Sequence, residues 1–243
     1  MTRSNRAALI GTLLFGILCR PAHASAQERQ AIVEKIAKTY GLDSWGQIDA
    51  LRYTFAFEWG KIKVHRSWVW EPRADRVTYE GPDKGGKPIK VTYPRSQLAS
   101  QDEVVKTVVE PAFINDSYPL LFPLHLAWDA GPTVEDKGVQ KLPLGKGSAR
   151  KIVVRYPSEG GYTPGDTWTL FVGDDGRIRE LDFRHGGAVK PSAIVVTWGD
   201  QRMVGPLLIS LEKRGMADGK PVRVGFTNVA ARLVGSSNWI DAK

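Results

Sequence analysis

The chain has a single cysteine in 243 residues, and Cys19 lies in an N-terminal stretch that reads as a removable leader. Without it the chain has no disulfide, no thiolate metal site and no cysteine nucleophile. Histidine is scarce as well, four in all. His23 leaves with the leader, and His65, His125 and His185 have no second or third ligand near them in sequence, which excludes a zinc motif. His65 is expected on a polar strand face, His125 packed with one backbone partner, and His185 in a loop. No serine sits in a G-x-S-x-G elbow. Gly145-Lys146-Gly147-Ser148 shares letters with a phosphate loop, but the required first glycine would fall at Gln140. Asp174-Asp175 lacks the alternating oxygen ligands of a calcium loop and reads as a hairpin turn. The sequence therefore names no catalytic residue, no metal ligand and no cofactor, and no enzymatic activity is expected.

A concentrated basic stripe is also lacking. The formal charge is +8, but Arg3, Arg6 and Arg20 belong to the leader and the other basic residues are interspersed with acidic ones. Nucleic acid is thus not an expected partner, while weak attraction to an anionic surface remains open. Nor is there a long apolar run. Ala7 to Leu18 spans about 12 residues against the roughly 20 that cross a bilayer. With Arg3 and Arg6 before it, Pro21 behind it and Ala24-Ser25-Ala26 as a small-residue site, it reads as a secretory signal. Cleavage is expected after Ala26, with 27–243 a single periplasmic domain that has no transmembrane segment. Leu18 stands where a small residue would precede a lipid-modified cysteine, which argues against Cys19 as an anchor.

What the sequence does have is aromatic alternation. Leu51 to Trp70, LRYTFAFEWGKIKVHRSWVW, reads as a hairpin about a Gly60-Lys61 turn of type II′. The pairs Trp59–Ile62, Phe57–Val64, Phe55–Arg66, Tyr53–Trp68 and Leu51–Trp70 then share one face, and Glu58–Lys63, Ala56–His65 and Thr54–Ser67 share the other. A slip of one residue would turn the aromatic groups to the polar side, so the pattern specifies its own register. Residues 28–40 have helical periodicity, with Ile32, Val33, Ile36, Ala37 and Tyr40 on one face and Gly41 ending it. Ser100-Gln101-Asp102-Glu103 has capping-box spacing ahead of Val104, Val105, Val108 and Val109. Pro111 breaks or kinks that element. Phe113 to Trp128, interrupted by Pro119 and Pro123, predicts a short helix and an extended return.

Further strands are expected over 73–80, 88–93, 149–156, 166–172, 177–184, 193–198, 206–213, 221–226 and 228–234. Glu180 and Asp182, alternating with Leu181 and Phe183, suggest a strand with one wet face. Helical material confined to the start and to 101–122 argues against βαβ units. The fold class is mainly β: a curved antiparallel sheet or unclosed barrel of roughly ten strands, with helices covering its concave face.

Ile114 to Pro123, INDSYPLLFP, resembles the NDSYWLL-P segment of exported bacterial proteins related to the outer-membrane lipoprotein-sorting (LolA-like) superfamily, with Pro119 where an aromatic residue is usual. Tyr162 to Leu170 is similar to that family's P-G-D-x-(aromatic)-x-L strand. With the hairpin and the Trp198-Gly199-Asp200 turn, the resemblance spans most of 27–243. It implies helices forming a lid over an apolar cavity that holds a lipid or acyl chain, and an arginine on an early strand's inner face, here Arg66. The cavity would be lined by Phe55, Phe57, Trp59, Trp68 and Trp70, with Phe113, Leu121, Phe122 and Leu126 on the covering side. Arg66, a charge on an apolar face, would stack on an aromatic ring, bond to helix carbonyls or meet an acidic ligand group. Two other readings stay open. An envelope interaction or scaffold protein, with an envelope protein partner, predicts a filled interior. An enzyme on an envelope lipid or glycan predicts paired carboxylates, or a histidine with a partner, converging in a pocket.

Overall fold

The computed structural model describes residues 26–161, 163–186 and 193–243. The proposed signal, apart from Ala26, lies outside them, as does Tyr162. The aromatic hairpin forms in the register its alternation dictates. Strands β1 (Ile48–Trp59) and β2 (Ile62–Glu71) pair Trp59 with Ile62, Phe57 with Val64, Phe55 with Arg66, Tyr53 with Trp68 and Leu51 with Trp70. Gly60 has φ 59 and Lys61 a negative φ, as a type II′ turn requires. His65 is exposed.

The chain continues through β3 (Arg76–Pro82) and β4 (Pro88–Pro94) to helix α2 (Glu110–Trp128), α1 being Ala26–Thr39. Strands β5 (Thr133–Lys141), β6 (Ser148–Arg155), β7 (Thr167–Val172), β8 (Ile178–Arg184) and β9 (Ile194–Thr197) follow. The last four are β10 (Gly199–Val204), β11 (Leu207–Ala217), β12 (Lys220–Leu233) and β13 (Trp239–Asp241). All pairings are antiparallel. The order is β4-β3-β2-β1-β12-β11-β9-β8-β7-β6-β5, with β10 beside β11 and β13 beside β12. The two ends do not meet, so the barrel is unclosed.

Its curvature follows from which strands α2 touches. Six inter-strand steps would separate β2 from β7 by about 29 Å in a flat sheet. Yet Asp116 of α2 bonds to Arg66 and Trp68 on β2, and Phe122 stacks on Trp168 of β7 at 3.9 Å. Those two helix positions lie about 9 Å apart along the axis. The sheet therefore wraps around α2, which fills part of its concave side.

Three carboxylates pin α2 there. Glu110 accepts from Tyr93 Oη at 2.5 Å and Arg95 Nη2 at 2.6 Å. Asp116 accepts from β2. Asp129, just past the helix, accepts from Tyr118 Oη at 2.7 Å and Tyr156 Oη at 2.8 Å. This anchoring explains a departure from expectation: α2 runs unbroken through Pro119 and Pro123, where a helix end and an extended return were predicted. Pro111 does not break the element: the helical path passes through it, changing from π-helical to α-helical just before it. A π-helical turn, Val105–Val109, precedes it. The capping box does not form: Ser100 Oγ donates to the Gln97 carbonyl, and the helical path starts from the Asp102 carbonyl.

Helix α1 packs on α2 and meets the sheet through Tyr40, whose hydroxyl accepts from Ile178 N and donates to Gln201. Strands β5, β10 and β13 escaped the sequence pattern because β5 and β10 are mostly polar and β13 is three residues long. The two strands expected over 221–234 are one. Asn228, at φ 53, takes up a bulge where the β1 register shifts between Arg52 and Thr54. Glu180 is buried rather than on a wet face, because Leu144 N and Gly145 N donate to its carboxylate at 2.8 and 2.7 Å. The glycine loop that resembles a phosphate loop thus holds an internal anion. Among the described residues no helix is long and apolar enough to cross a membrane.

Candidate functional site: an apolar cavity under helix α2

Between α2 and the concave sheet lies a cavity of about 430 Å³. Its helix wall is Pro111, Ile114, Asn115, Tyr118 and Pro119, the i, i+3, i+4, i+7, i+8 face of α2. Its sheet wall follows one ladder row, Val64 of β2, Phe57 of β1, Val224 of β12 and Lys213 of β11. Phe55 and Arg66 stand in the next inward-facing row. Trp168, Leu181, Phe183, Ile194 and Val196 close the far side.

Of the ten residues proposed from the sequence, Phe55, Phe57 and Arg66 border this cavity. The other seven stand elsewhere. Trp68 is buried between Tyr79 and Phe113, and Trp70 packs on Phe113 and Trp45. Trp59 donates its Nε1–H to the Ala217 carbonyl. Leu121 and Phe122 are core residues, and Leu126 faces a separate depression between α1 and β5. The physical reason is the unbroken helix: its pitch turns Phe113 to the far side of α2, and it carries Phe122 a turn beyond the cavity, where the ring stacks on the wall residue Trp168. Val64 and Phe183 were legible, one as the partner of Phe57 and the other by alternation with Leu181. Lys213 carried no signal, since Glu212-Lys213-Arg214 reads as a solvated charge run.

Arg66 is held by protein. Its Nε and Nη2 donate to Asp116 at 2.7 and 2.5 Å, and its guanidinium lies 5.3 Å from the Phe55 ring centroid. Trp68 Nε1 and Asn115 Nδ2 donate to the same carboxylate. Burial holds the Asp116 carboxyl above its usual range against the pull of these donors. Asp116 is the aspartate of the NDSY segment, so that segment and the early-strand arginine are two halves of one contact.

Lys213 is different. It is 1% exposed, and burial pushes its pKa down to about 7. Its Nζ donates to Ser210 O at 3.0 Å and to Ser210 Oγ at 3.3 Å, and it faces the rings of Trp198 and Phe226. Trp168 Nε1, also on the cavity, is buried without a partner.

Two histidines have carboxylate partners. His185 Nδ1 lies 3.0 Å from Asp166, and both border the cavity. His125 Nδ1 lies 3.1 Å from Asp129 and stacks on Tyr118, where a backbone partner was expected. Burial disfavours the charge on Asp129, but His125, Tyr118 and Tyr156 hold its carboxyl below the usual range. Both tyrosine hydroxyls are correspondingly raised by burial and by Asp129. Among the described residues no group of three or more His, Cys, Asp or Glu could hold a metal ion.

Fold and site together define an unclosed antiparallel barrel with a small apolar cavity beneath one helix. Three solved structures are similar to it. A DUF1329 family protein from Desulfovibrio piger is 10% identical, at TM-score 0.42 over 86% of this chain and 95% of its own. A domain named for outer membrane lipoprotein sorting, from Vibrio parahaemolyticus, is 7% identical at TM-score 0.46, over 88% and 95%. Lipoprotein LppX from Mycobacterium tuberculosis is 10% identical at TM-score 0.31, over 87% and 99%. No protein-family model matches the sequence, and neither does any curated protein.

Proposed function

We propose that this protein is a periplasmic binding or carrier protein that shelters the alkyl chain of a lipid or acylated ligand. The observation that carries this reading is the cavity itself, about 430 Å³ of space bordered by Phe55, Phe57, Phe183 and Val196 where a dry core would be filled. Each methylene buried there contributes about 0.8 kcal/mol, so a chain binds without catalytic groups. The signal-like residues 1–26 support export, and the LolA-like resemblance supports the ligand class. The sequence proposes ten cavity residues, Phe55, Phe57, Trp59, Arg66, Trp68 and Trp70 on the sheet and Phe113, Leu121, Phe122 and Leu126 on the covering side; of these Phe55, Phe57 and Arg66 are the ones we assign to ligand contact, and the other seven to shaping the space from behind.

One observation favours a second reading. The Asp166–His185 pair on the cavity has the geometry of an oriented base, so an enzyme acting on an acyl ligand is the competing function. Gentle purification from the native envelope and mass spectrometry distinguish the two. The carrier reading expects stoichiometric lipid, lost on filling the cavity with Val196→Trp. No bound lipid together with no binding of acyl-chain probes would sink it. Turnover of an acyl-ester probe that disappears in His185→Ala would replace it with the enzyme.

A further inference from the structure

Among the described residues, every buried ionisable group around the cavity has an ionisable partner of the other kind beside it except one. Arg66 has Asp116, and Asp166 has His185. Lys213 has no carboxylate partner among the described residues: its sequence neighbour Glu212 is engaged by Arg223 and Arg214. Two of the three Nζ hydrogens go to Ser210, and the third has no acceptor among the described residues. Two aromatic faces, at 4.1 and 4.8 Å, attract the ammonium but accept no conventional hydrogen bond. A buried ammonium without an anion costs the fold stability, where a methionine of similar length would not. Its neighbours in the row, Val224, Phe57 and Val64, are apolar and border the same space.

We propose that the cavity takes a single-chain amphiphile with an anionic head, the head's carboxylate or phosphate oxygen accepting a hydrogen bond from Lys213 Nζ. The alkyl chain then lies along Phe57, Phe183 and Val196. This rests on the cavity being a ligand site, and adds to it the head group and its anchor. The volume suits one small ligand, near the low end of the roughly 300–1,000 Å³ typical of such sites. Arg66 does not compete for the head, because Asp116 already occupies its fork.

Isothermal titration of the full chain with dodecanoic acid, dodecyl phosphate and dodecanol tests this. A charge-assisted hydrogen bond should make at least one of the two anions bind about tenfold or more tighter than the alcohol. Which anion binds better identifies the head. In Lys213→Met the advantage of the anions over the alcohol should be lost, with the melting temperature no lower. Equal affinity of anions and alcohol in the native protein would overturn the anchor and leave the cavity reading standing. Binding of none of the three would overturn both. Should Lys213→Met fail to fold, the native series and Lys213→Gln give the same decision.

Discussion

Asp116 is 0% exposed and accepts four N–H donors, from Arg66, Trp68 and Asn115. Removing it leaves a largely buried guanidinium without its anion, a change that costs about 3–5 kcal/mol in comparable pairs. Asp116→Ala is therefore expected to lower the unfolding free energy by that amount, read as a lower urea midpoint at unchanged m-value. The double variant Arg66→Met/Asp116→Leu should recover most of the loss, because two apolar residues leave nothing unpaired. A single-variant cost below about 1 kcal/mol would mean the pair is no stronger than a surface ion pair, and that α2 is pinned by Glu110 and Asp129 alone. At this scale the sequence was half legible. Arg66 stood out as a charge on an apolar face, but its partner lies 50 residues away in a helix whose phase the prolines obscured. Lys213 was invisible, because a lysine between glutamate and arginine has the composition of a wet strand.

Two glycines show how far turn chemistry decides the elements. Gly60 and Gly41 both have positive φ, 59 and 100, but a Cβ at Gly60 would meet open space and one at Gly41 would lie 2.8 Å from the Pro206 carbonyl oxygen. Gly60→Ala should cost about 1 kcal/mol, the left-handed penalty alone. Gly41→Ala should cost about 1–3 kcal/mol more, the price of overpacking. Equilibrium unfolding of the two variants checks the difference, and equal costs would mean that the α1–β11 junction yields freely. The hairpin around Gly60 was legible because alternation, turn residue and charge pairs all agree on one register. Helix α2 was not, because proline rules act locally, while Glu110, Asp116 and Asp129 hold the helix through contacts distant in sequence. Each internal proline removes a helix hydrogen bond at about 3 kcal/mol, and those charged anchors offset it. Strand β5 was missed for the opposite reason. As an edge strand it presents mostly exposed side chains and shows no apolar alternation.

The stability of the whole fold should record whether the cavity is empty. Lys213 ionises at about 7 in the folded protein against 10.5 when unperturbed. Below pH 7 both states hold the proton, and the cost of burying the charge is fully present. Between pH 7 and 10.5 the unfolded chain keeps a proton the folded chain has shed, so stability rises with pH. The gain is on the order of a few kcal/mol, at about 1.4 kcal/mol per unit of pKa difference. Near pH 10 and above the tyrosines act in the other direction. Tyr40, Tyr93, Tyr118 and Tyr156 are raised by burial, so the unfolded state loses protons first and stability falls. Urea midpoints of the ligand-free protein should thus climb from pH 7 to about 9.5 and then turn over, and Lys213→Met should remove the climb while keeping the turnover. A bound carboxylate favours the ammonium, so dodecanoic acid at a hundred times its Kd should both add about 2.7 kcal/mol and flatten the slope. A flat native curve in the absence of ligand would show Lys213 charged throughout. The space beneath α2 would then be wet enough to solvate an ammonium, and too wet to prefer an alkyl chain.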